Sequence, residues 1–313
     1  MPDLWKGLAG LLVLLIALGL TSVLLTGPPT LGERERQKER IPRLVRNEQP
    51  LPEVSAEAVL VRRLRTGEVM HERNADRTLP IASVTKLMTA LLAADIGPLE
   101  FVPFSFEAKR AGDADDKRSS VESGDALKAE DVLKALLVSS DNDAAYAAAE
   151  YVAVRSHPEL TTASFEERVK EFVNAMNDRA RDIALANTRF SNPTGRDDPE
   201  NFSTARDIAA LADHIRLHRP ELWAVTRIQE TFAFSKSGRR YGVVNTSPLL
   251  GEFPALYGSK TGFDDEAKGA LVMLYQMAPD DLVVIVLLRS RDRFGDGRTL
   301  LRWVESSFML EWP

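Results

Sequence analysis

Three short clusters in this chain set nucleophilic, basic and amide groups at spacings that can do chemistry. They are Ser83-Val84-Thr85-Lys86, Ser140-Asp141-Asn142 and Lys260-Thr261-Gly262. The run from Pro80 to Leu92 predicts a buried helix that begins at Ser83. Val84, Leu87, Met88, Leu91 and Leu92 recur there at helical spacing just after a proline. Residues three apart share a helix face, so Ser83 Oγ and Lys86 Nζ can meet, and the amine can take the hydroxyl proton. A lysine does this near neutral pH only where burial or a nearby cation lowers its pKa. In a first helical turn the Ser83 N–H has no intrahelical acceptor and can face an oxyanion. Taken alone, the same spacing also fits a helix start with an exposed lysine.

Asp125 to Val138 predicts a second helix, with Ala126, Leu127, Val132, Leu133, Leu136 and Leu137 as its apolar positions. An Ala-rich helical pattern resumes from Ala144 to Val154. A tight connection between the two can project Ser140 and Asn142 to one side, a hydroxyl to relay protons and an amide to hold a carbonyl. Ser, Asp and Asn are equally good helix N-caps. Lys260-Thr261-Gly262 precedes two runs of strand formers, Leu271–Tyr275 and Leu282–Leu288, joined by the turn Ala278-Pro279-Asp280-Asp281. On an edge strand this cluster offers a cation, a hydroxyl and, at Gly262, a bare backbone. A terminal carboxylate or an extended peptide can dock there by strand addition. The plainer alternative is a strand end followed by a turn over Gly262-Phe263-Asp264-Asp265.

Together and in this order, the clusters resemble the motif set of the low-molecular-mass penicillin-binding proteins of the D-alanyl-D-alanine carboxypeptidase family. The likeness covers roughly residues 55–309. It includes Pro80-Ile81-Ala82-Ser83, Asn187-Thr188-Arg189-Phe190, Pro193-Thr194-Gly195 and Phe202-Ser203-Thr204-Ala205-Arg206-Asp207. It extends to Gly258-Ser259-Lys260-Thr261-Gly262-Phe263 and Leu300-Leu301-Arg302-Trp303. The resemblance implies an α+β fold of the penicillin-binding protein and serine β-lactamase type, an antiparallel β-sheet packed against a helical cluster. It implies that Ser83 is the acylated nucleophile and Lys86 its general base. Ser140 would pass a proton to the leaving D-alanine nitrogen, and Asn142 would bind the substrate amide. Lys260 and Thr261 would hold the substrate carboxylate on the strand that Gly262 continues, and Arg293 would assist. The oxyanion hole would be the backbone N–H groups of Ser83 and Phe263.

The activity so implied is cleavage of the terminal D-Ala-D-Ala bond of peptidoglycan stem peptides, without a cofactor and open to β-lactam inhibitors. A D,D-endopeptidase acting on cross-links and a catalytically idle penicillin-binding scaffold are the alternatives. The chain departs from the family pattern at Lys268-Gly269-Ala270, where many members carry Gly-Tyr or Gly-Gly, and at Phe263, which replaces a His or Tyr and is similar to the endopeptidase branch. With the last residue at Pro313, no sizeable C-terminal β-rich domain is expected. The serine β-lactamases add a Pro-Glu-x-Leu-Asn loop. Here Pro158-Glu159-Leu160-Thr161-Thr162 lies too close to Ser140 and lacks the Asn, so slow or absent β-lactamase activity is expected.

Composition narrows the field. The net charge of −6, with no basic run in the catalytic part, argues against nucleic acid as a partner. The absence of cysteine excludes disulfides, thiolate catalysis and most structural zinc sites. Of the histidines, His71, His157, His214 and His218, only the last two have a metal-like spacing, and no Glu accompanies them, so no metal site is expected. From Gly7 to Thr30 no residue is charged, and Leu8–Leu25 is almost wholly aliphatic, enough to span a bilayer. A signal peptide that is removed is the alternative, but the run is longer than a usual h-region and no small-x-small cleavage site ends it, so residues 1–27 are expected to be a retained single-pass anchor in the cell membrane. Residues 28–53 read as a Pro- and charge-rich linker, and 54–313 as the catalytic domain. Arg34, Arg36, Lys38, Arg40, Arg43 and Arg46 follow the apolar run while only Lys6 precedes it, a bias that places the domain inside. The implied substrate places it outside. Long domains translocate largely regardless of charge, and the extracytoplasmic side is the expectation.

Around the motifs, a hairpin is predicted at Ala58–Leu64 and Glu68–Glu72. Helices are predicted over Ser83–Asp95, Asp125–Val138, Asn142–Arg155, Phe165–Ala186, Thr204–Leu217 and Gly295–Phe308. Thr204 and Asp207 form a capping-box pattern.

Overall fold

The aliphatic runs at Leu271–Tyr275 and Leu282–Leu288 have no polar alternate positions, which requires a sheet covered on both faces. The computed structural model describes residues 42–47, 49–112 and 121–312. Its strands in chain order are β1 (Arg43–Arg46), β2 (Ala58–Arg63), β3 (Val69–Arg73), β4 (Leu79–Pro80), β5 (Phe101–Pro103), β6 (Ala126–Lys128) and β7 (Phe202–Ser203). They continue with β8 (Glu230–Phe234), β9 (Arg240–Val244), β10 (Leu256–Asp264), β11 (Lys268–Ala278), β12 (Asp281–Ser290) and β13 (Phe308–Glu311). The helices are α1 (Lys86–Ala93), α2 (Phe106–Gly112), α3 (Ala129–Leu137), α4 (Asn142–Ser156) and α5 (Phe165–Asp182). After them come α6 (Ala205–His218), α7 (Pro220–Thr226), α8 (Leu249–Glu252) and α9 (Arg293–Ser307).

The chain divides into two compact units. In the unit of residues 49–305, an antiparallel sheet runs in the order β10-β11-β12-β2-β3. Alternate residues sort its two faces, as strand pleating requires. Ala270, Val272 and Leu274 of β11, with Val284, Val286 and Leu288 of β12, join the large apolar cluster shared with helices such as α1, α3, α4 and α6. On the opposite face Leu271 and Met273 lie against Gly297 of α9, Tyr275 O–H donates to Glu305, and His71 meets Trp303 edge-on. This is the expected α+β layering of an antiparallel sheet and a helical cluster. In the unit of residues 1–48 and 306–313, β1 pairs with β13, Arg43 opposite Glu311 and Arg46 opposite Phe308. Arg43–Arg46 thus forms a strand within the segment read from sequence as linker. The membrane span expected over residues 8–25 and the linker through residue 41 lie outside the described residues. Among the described residues no helix is long and apolar enough to cross a membrane.

Several helix boundaries differ from those expected. The helix predicted from Asp125 begins at Ala129, because Ala126–Lys128 is spent as β6 against β5. The Asp125 carboxylate draws the chain outward by accepting from Ala126 N–H, Ser237 O–H and Tyr241 O–H. Thr204 caps α6 by accepting from Asp207 N–H, but the Asp207 carboxylate takes Asn187 N–H and Thr188 O–H instead of closing a capping box. The reciprocal box is at Ser164 and Glu167, at the start of α5. The last helix ends at Ser307, one residue before its expected end, and α5 stops at Asp182, four residues early.

Candidate active site

Ser83 does not open an α-helix as its spacing suggests. Ala82 enters at φ +47°, and Ala82–Thr85 forms a tight 3₁₀ turn before α1 begins at Lys86. The cause is crowding from two sides. A Cβ on Gly262 of β10 would lie 3.0 Å from Ile81 O and from Ala82 Cβ, and 3.1 Å from Ser83 N. A Cβ on Gly195, which sits at φ +86°, would lie 1.8 Å from Ala82 O. Left-handed backbone at a non-glycine residue costs free energy and persists where surrounding packing imposes it. Ser83 and Lys86 still meet, with Lys86 Nζ 2.9 Å from Ser83 Oγ. The amine is fully buried, and it also donates to Asn142 Oδ1 at 2.7 Å and to the Thr194 carbonyl at 2.8 Å.

The second cluster splits its work. Asp141 is the N-cap of α4, accepting from Ala144 N–H, so the ordinary capping reading holds for that residue. Its neighbours reach two different lysines. Asn142 meets Lys86, while Ser140, held at φ +59°, accepts from Lys260 Nζ at 2.8 Å. Lys260 is buried and also donates to Thr261 O. It lies on β10, an edge strand of the five-stranded sheet as expected, so one row of backbone groups lies outside the ladder.

A cavity of about 380 Å³ takes part of its wall from each of the three motifs and is lined by Ser83, Ser139, Ser140, Thr246, Thr261, Gly262, Phe263 and Arg293; Lys86, Asn142 and Lys260 lie behind this lining. Phe263 is 45% exposed. The Arg293 guanidinium lies 5.2 Å from its ring centre and 4.5 Å from that of Phe294. Burial pushes that guanidinium below its usual pKa, opposed by Asp292, and Arg293 Nε has no hydrogen-bond partner. An arginine so placed remains charged. Gly269, one of the departures from the family pattern, makes room for it, since a Cβ there would come within 2.8 Å of Arg293 Cβ.

Two members of the site escaped the sequence reading. Thr246, in the turn after β9, shares a 2.6 Å hydrogen bond between its hydroxyl and that of Thr261. The Thr194 carbonyl is a backbone acceptor with no side-chain signature, although Pro193-Thr194-Gly195 does mark a turn. Glu159 is excluded as a deacylating base. It lies in the 3₁₀ turn Pro158–Thr162, beyond the far end of the 15-residue α4, about 22 Å along the helix from Asn142. Its side chain is 72% exposed. Among the described residues no group of three or more His, Asp or Glu could hold a metal ion, and His214 and His218 stack on each other.

Residues 45–290 match the family model described as D-alanyl-D-alanine carboxypeptidase. The carboxypeptidase DacF of Bacillus subtilis is 32% identical over 217 residues, covering 68% of this chain and 52% of its own length. The D-alanyl-D-alanine endopeptidase of Pseudomonas aeruginosa is 33% identical over 261 residues, covering 81% of this chain and 78% of its own. The crystal structure of the Streptomyces K15 DD-transpeptidase superposes with a TM-score of 0.73 at 24% identity, over 82% of this chain and 98% of that one, and shares its fold. This chain spans about half the length of the Bacillus relative. With its three motifs assembled around one cavity, the chain belongs to the D-alanyl-D-alanine carboxypeptidase family.

Proposed function

We propose that this chain is a serine acyl-enzyme that hydrolyses the terminal D-Ala-D-Ala bond of peptidoglycan stem peptides. The observation that carries this reading is the buried contact of Lys86 Nζ with Ser83 Oγ at 2.9 Å. Neutral Lys86 takes the Ser83 proton as Oγ attacks the scissile carbonyl, and the tetrahedral oxygen rests on the N–H groups of Ser83 and Phe263. Collapse expels the D-alanine amine, which receives its proton through Ser140, itself polarised by Lys260. Water then hydrolyses the ester bond to Ser83. Asn142 orients the substrate amide, and Thr261 with Arg293 receives the terminal carboxylate at the far side of the cavity. The apolar run at residues 8–25 anchors the chain, residues 28–53 tether it, and the catalytic domain works outside the cytoplasmic membrane.

Exposure to a fluorescent penicillin followed by intact-mass analysis tests the core of this. Wild type should gain one adduct and Ser83→Ala none; a full adduct on Ser83→Ala would reassign the nucleophile. A second reading, cleavage of cross-links as a D,D-endopeptidase, draws on exposed Phe263 at the cavity and on the likeness to the Pseudomonas endopeptidase over most of that protein's length. Turnover of a synthetic pentapeptide against a cross-linked muropeptide separates the two.

A further inference from the structure

We propose that Asn192 is a positioning residue for the acylation step, holding the loop whose carbonyl aims the Lys86 amine at Ser83. This rests on the reading of Lys86 as general base. A neutral amine has two N–H bonds and one lone pair. Two of the partners of Lys86, Asn142 Oδ1 and the Thr194 carbonyl, can only accept. With both N–H bonds committed to them, the lone pair is turned to the Ser83 hydroxyl. The Thr194 carbonyl therefore does more than fill space, because without it the amine can rotate its lone pair away from the proton it must take.

The loop that carries that carbonyl is gathered around one side chain. Asn192 Oδ1 accepts from Thr194 N–H at 3.2 Å, Thr194 O–H at 3.0 Å, Gly195 N–H at 2.8 Å and Arg196 N–H at 3.1 Å. Its Nδ2 donates back to the Arg196 carbonyl at 3.1 Å, so the side chain spans the loop from end to end. The loop is in turn fastened to the nucleophile's own elements. Thr89 O–H of α1 donates to the Pro193 carbonyl at 2.6 Å, and Gly195 lies against Ala82 O. Thr194 is buried, and its hydroxyl also accepts from Arg196 N–H. Asn192 thus acts on Lys86 through one backbone carbonyl and touches none of the reacting atoms.

The test separates binding from bond formation by saturation kinetics with a fluorescent penicillin, on full-length Asn192→Leu and Asn192→Asp. Leu keeps the size and removes the acceptor; Asp keeps an oxygen for the same N–H groups. The maximal acylation rate of Asn192→Leu should fall by about tenfold or more, in line with the sensitivity of such steps to displacements of about 1 Å. Its non-covalent affinity should hold, and Asn192→Asp should recover most of the rate. A folded Asn192→Leu that acylates at the wild-type maximal rate overturns the proposal, as does an Asn192→Asp no faster than Asn192→Leu. Should Asn192→Leu fail to fold, Asn192→Ser, whose hydroxyl is too short to reach all the loop amides, is measured in its place with the same two outcomes. Lys86→Met distinguishes the failures. If it still acylates, the general-base reading falls and takes this one with it; if it is inactive while Asn192→Leu is fast, only the role of Asn192 falls.

Discussion

Replacing Gly262 by alanine asks how closely β10 must press on the turn that carries Ser83, the proposed nucleophile. The added methyl would meet Ile81 O and Ala82 Cβ at 3.0 Å and Ser83 N at 3.1 Å, and each neighbour must give by a few tenths of an ångström. Two of those neighbours are backbone, so the strain relaxes by moving the strand and the turn apart. Within the sheet β10 is paired on one side only, with β11, while Lys260–Ser140 and Thr261–Thr246 tie it to its neighbours, so the displacement stays small. Forcing one methyl into a packed contact costs about 1–3 kcal/mol of stability. At this chain size each ~1 kcal/mol lowers Tm by about 2–4 °C. The larger effect falls on catalysis, since Ser83 N and Phe263 flank this contact and supply the proposed oxyanion donors. If a displacement of 1 Å costs ~100-fold, half of that costs ~10-fold, about 1.4 kcal/mol of barrier. Stopped-flow acylation by a fluorescent penicillin, with circular dichroism melting alongside, measures both. A folded Gly262→Ala that acylates within about twofold of wild type (~0.4 kcal/mol) would refute the idea that strand-to-turn contact sets the oxyanion geometry.

Further outcomes follow from other parts of the site and scaffold. Lys86→Met should melt cooperatively but lose about 100-fold or more in acylation, the usual share of a general base, and a loss under tenfold would exclude that role. Thr261→Val should cost ~1.5–3 kcal/mol more on a peptide with a free terminal carboxylate than on its amide; equal losses in the two kcat/KM values would show that Thr261 does not read the carboxylate. Burial pushes the Asp125 carboxyl up, but hydrogen bonds from Ser235, Ser237, Ala126 N–H and Tyr241 outweigh it and bring it down to about 2, against 3.8 for the unperturbed group. Between those values the unfolded chain binds more protons, so this stabilisation is full above about pH 4 and is lost as pH falls toward 2. The stability deficit of Asp125→Asn in urea should therefore shrink between about pH 6 and pH 2.5, and a constant deficit would contradict the assignment. Protease added to intact spheroplasts should release a penicillin-binding fragment by cleavage within residues 28–53, whereas protection until permeabilisation would place the domain inside.

The residues of the candidate site were legible in the sequence because the chemistry proposed for it is carried by side-chain types at short spacings. Ser83 and Lys86 meet whether their segment is an α-helix or, as found, a 3₁₀ turn running into one, since both conformations bring residues three apart together. The runs of strand formers at Leu271–Tyr275 and Leu282–Leu288 likewise announced two strands joined by a turn, found as β11 and β12. Local pattern could not say which distant groups would share a cavity. Lys260 reaches Ser140 across 120 residues of sequence, and Thr194 reaches Lys86 across 108. Only sheet order and helix packing close such distances. Tertiary contact also overrode local preference where the two competed. Asp125 and its donors turned a predicted first helical turn into β6, and the approach of Gly262 and Gly195 forced Ala82 and the turn after it out of α-helical geometry. Thr194 contributes a carbonyl that every residue possesses, and Thr246 a hydroxyl whose only distinction is the strand beside it, so neither could be recognised before the fold brought them to Lys86 and Thr261.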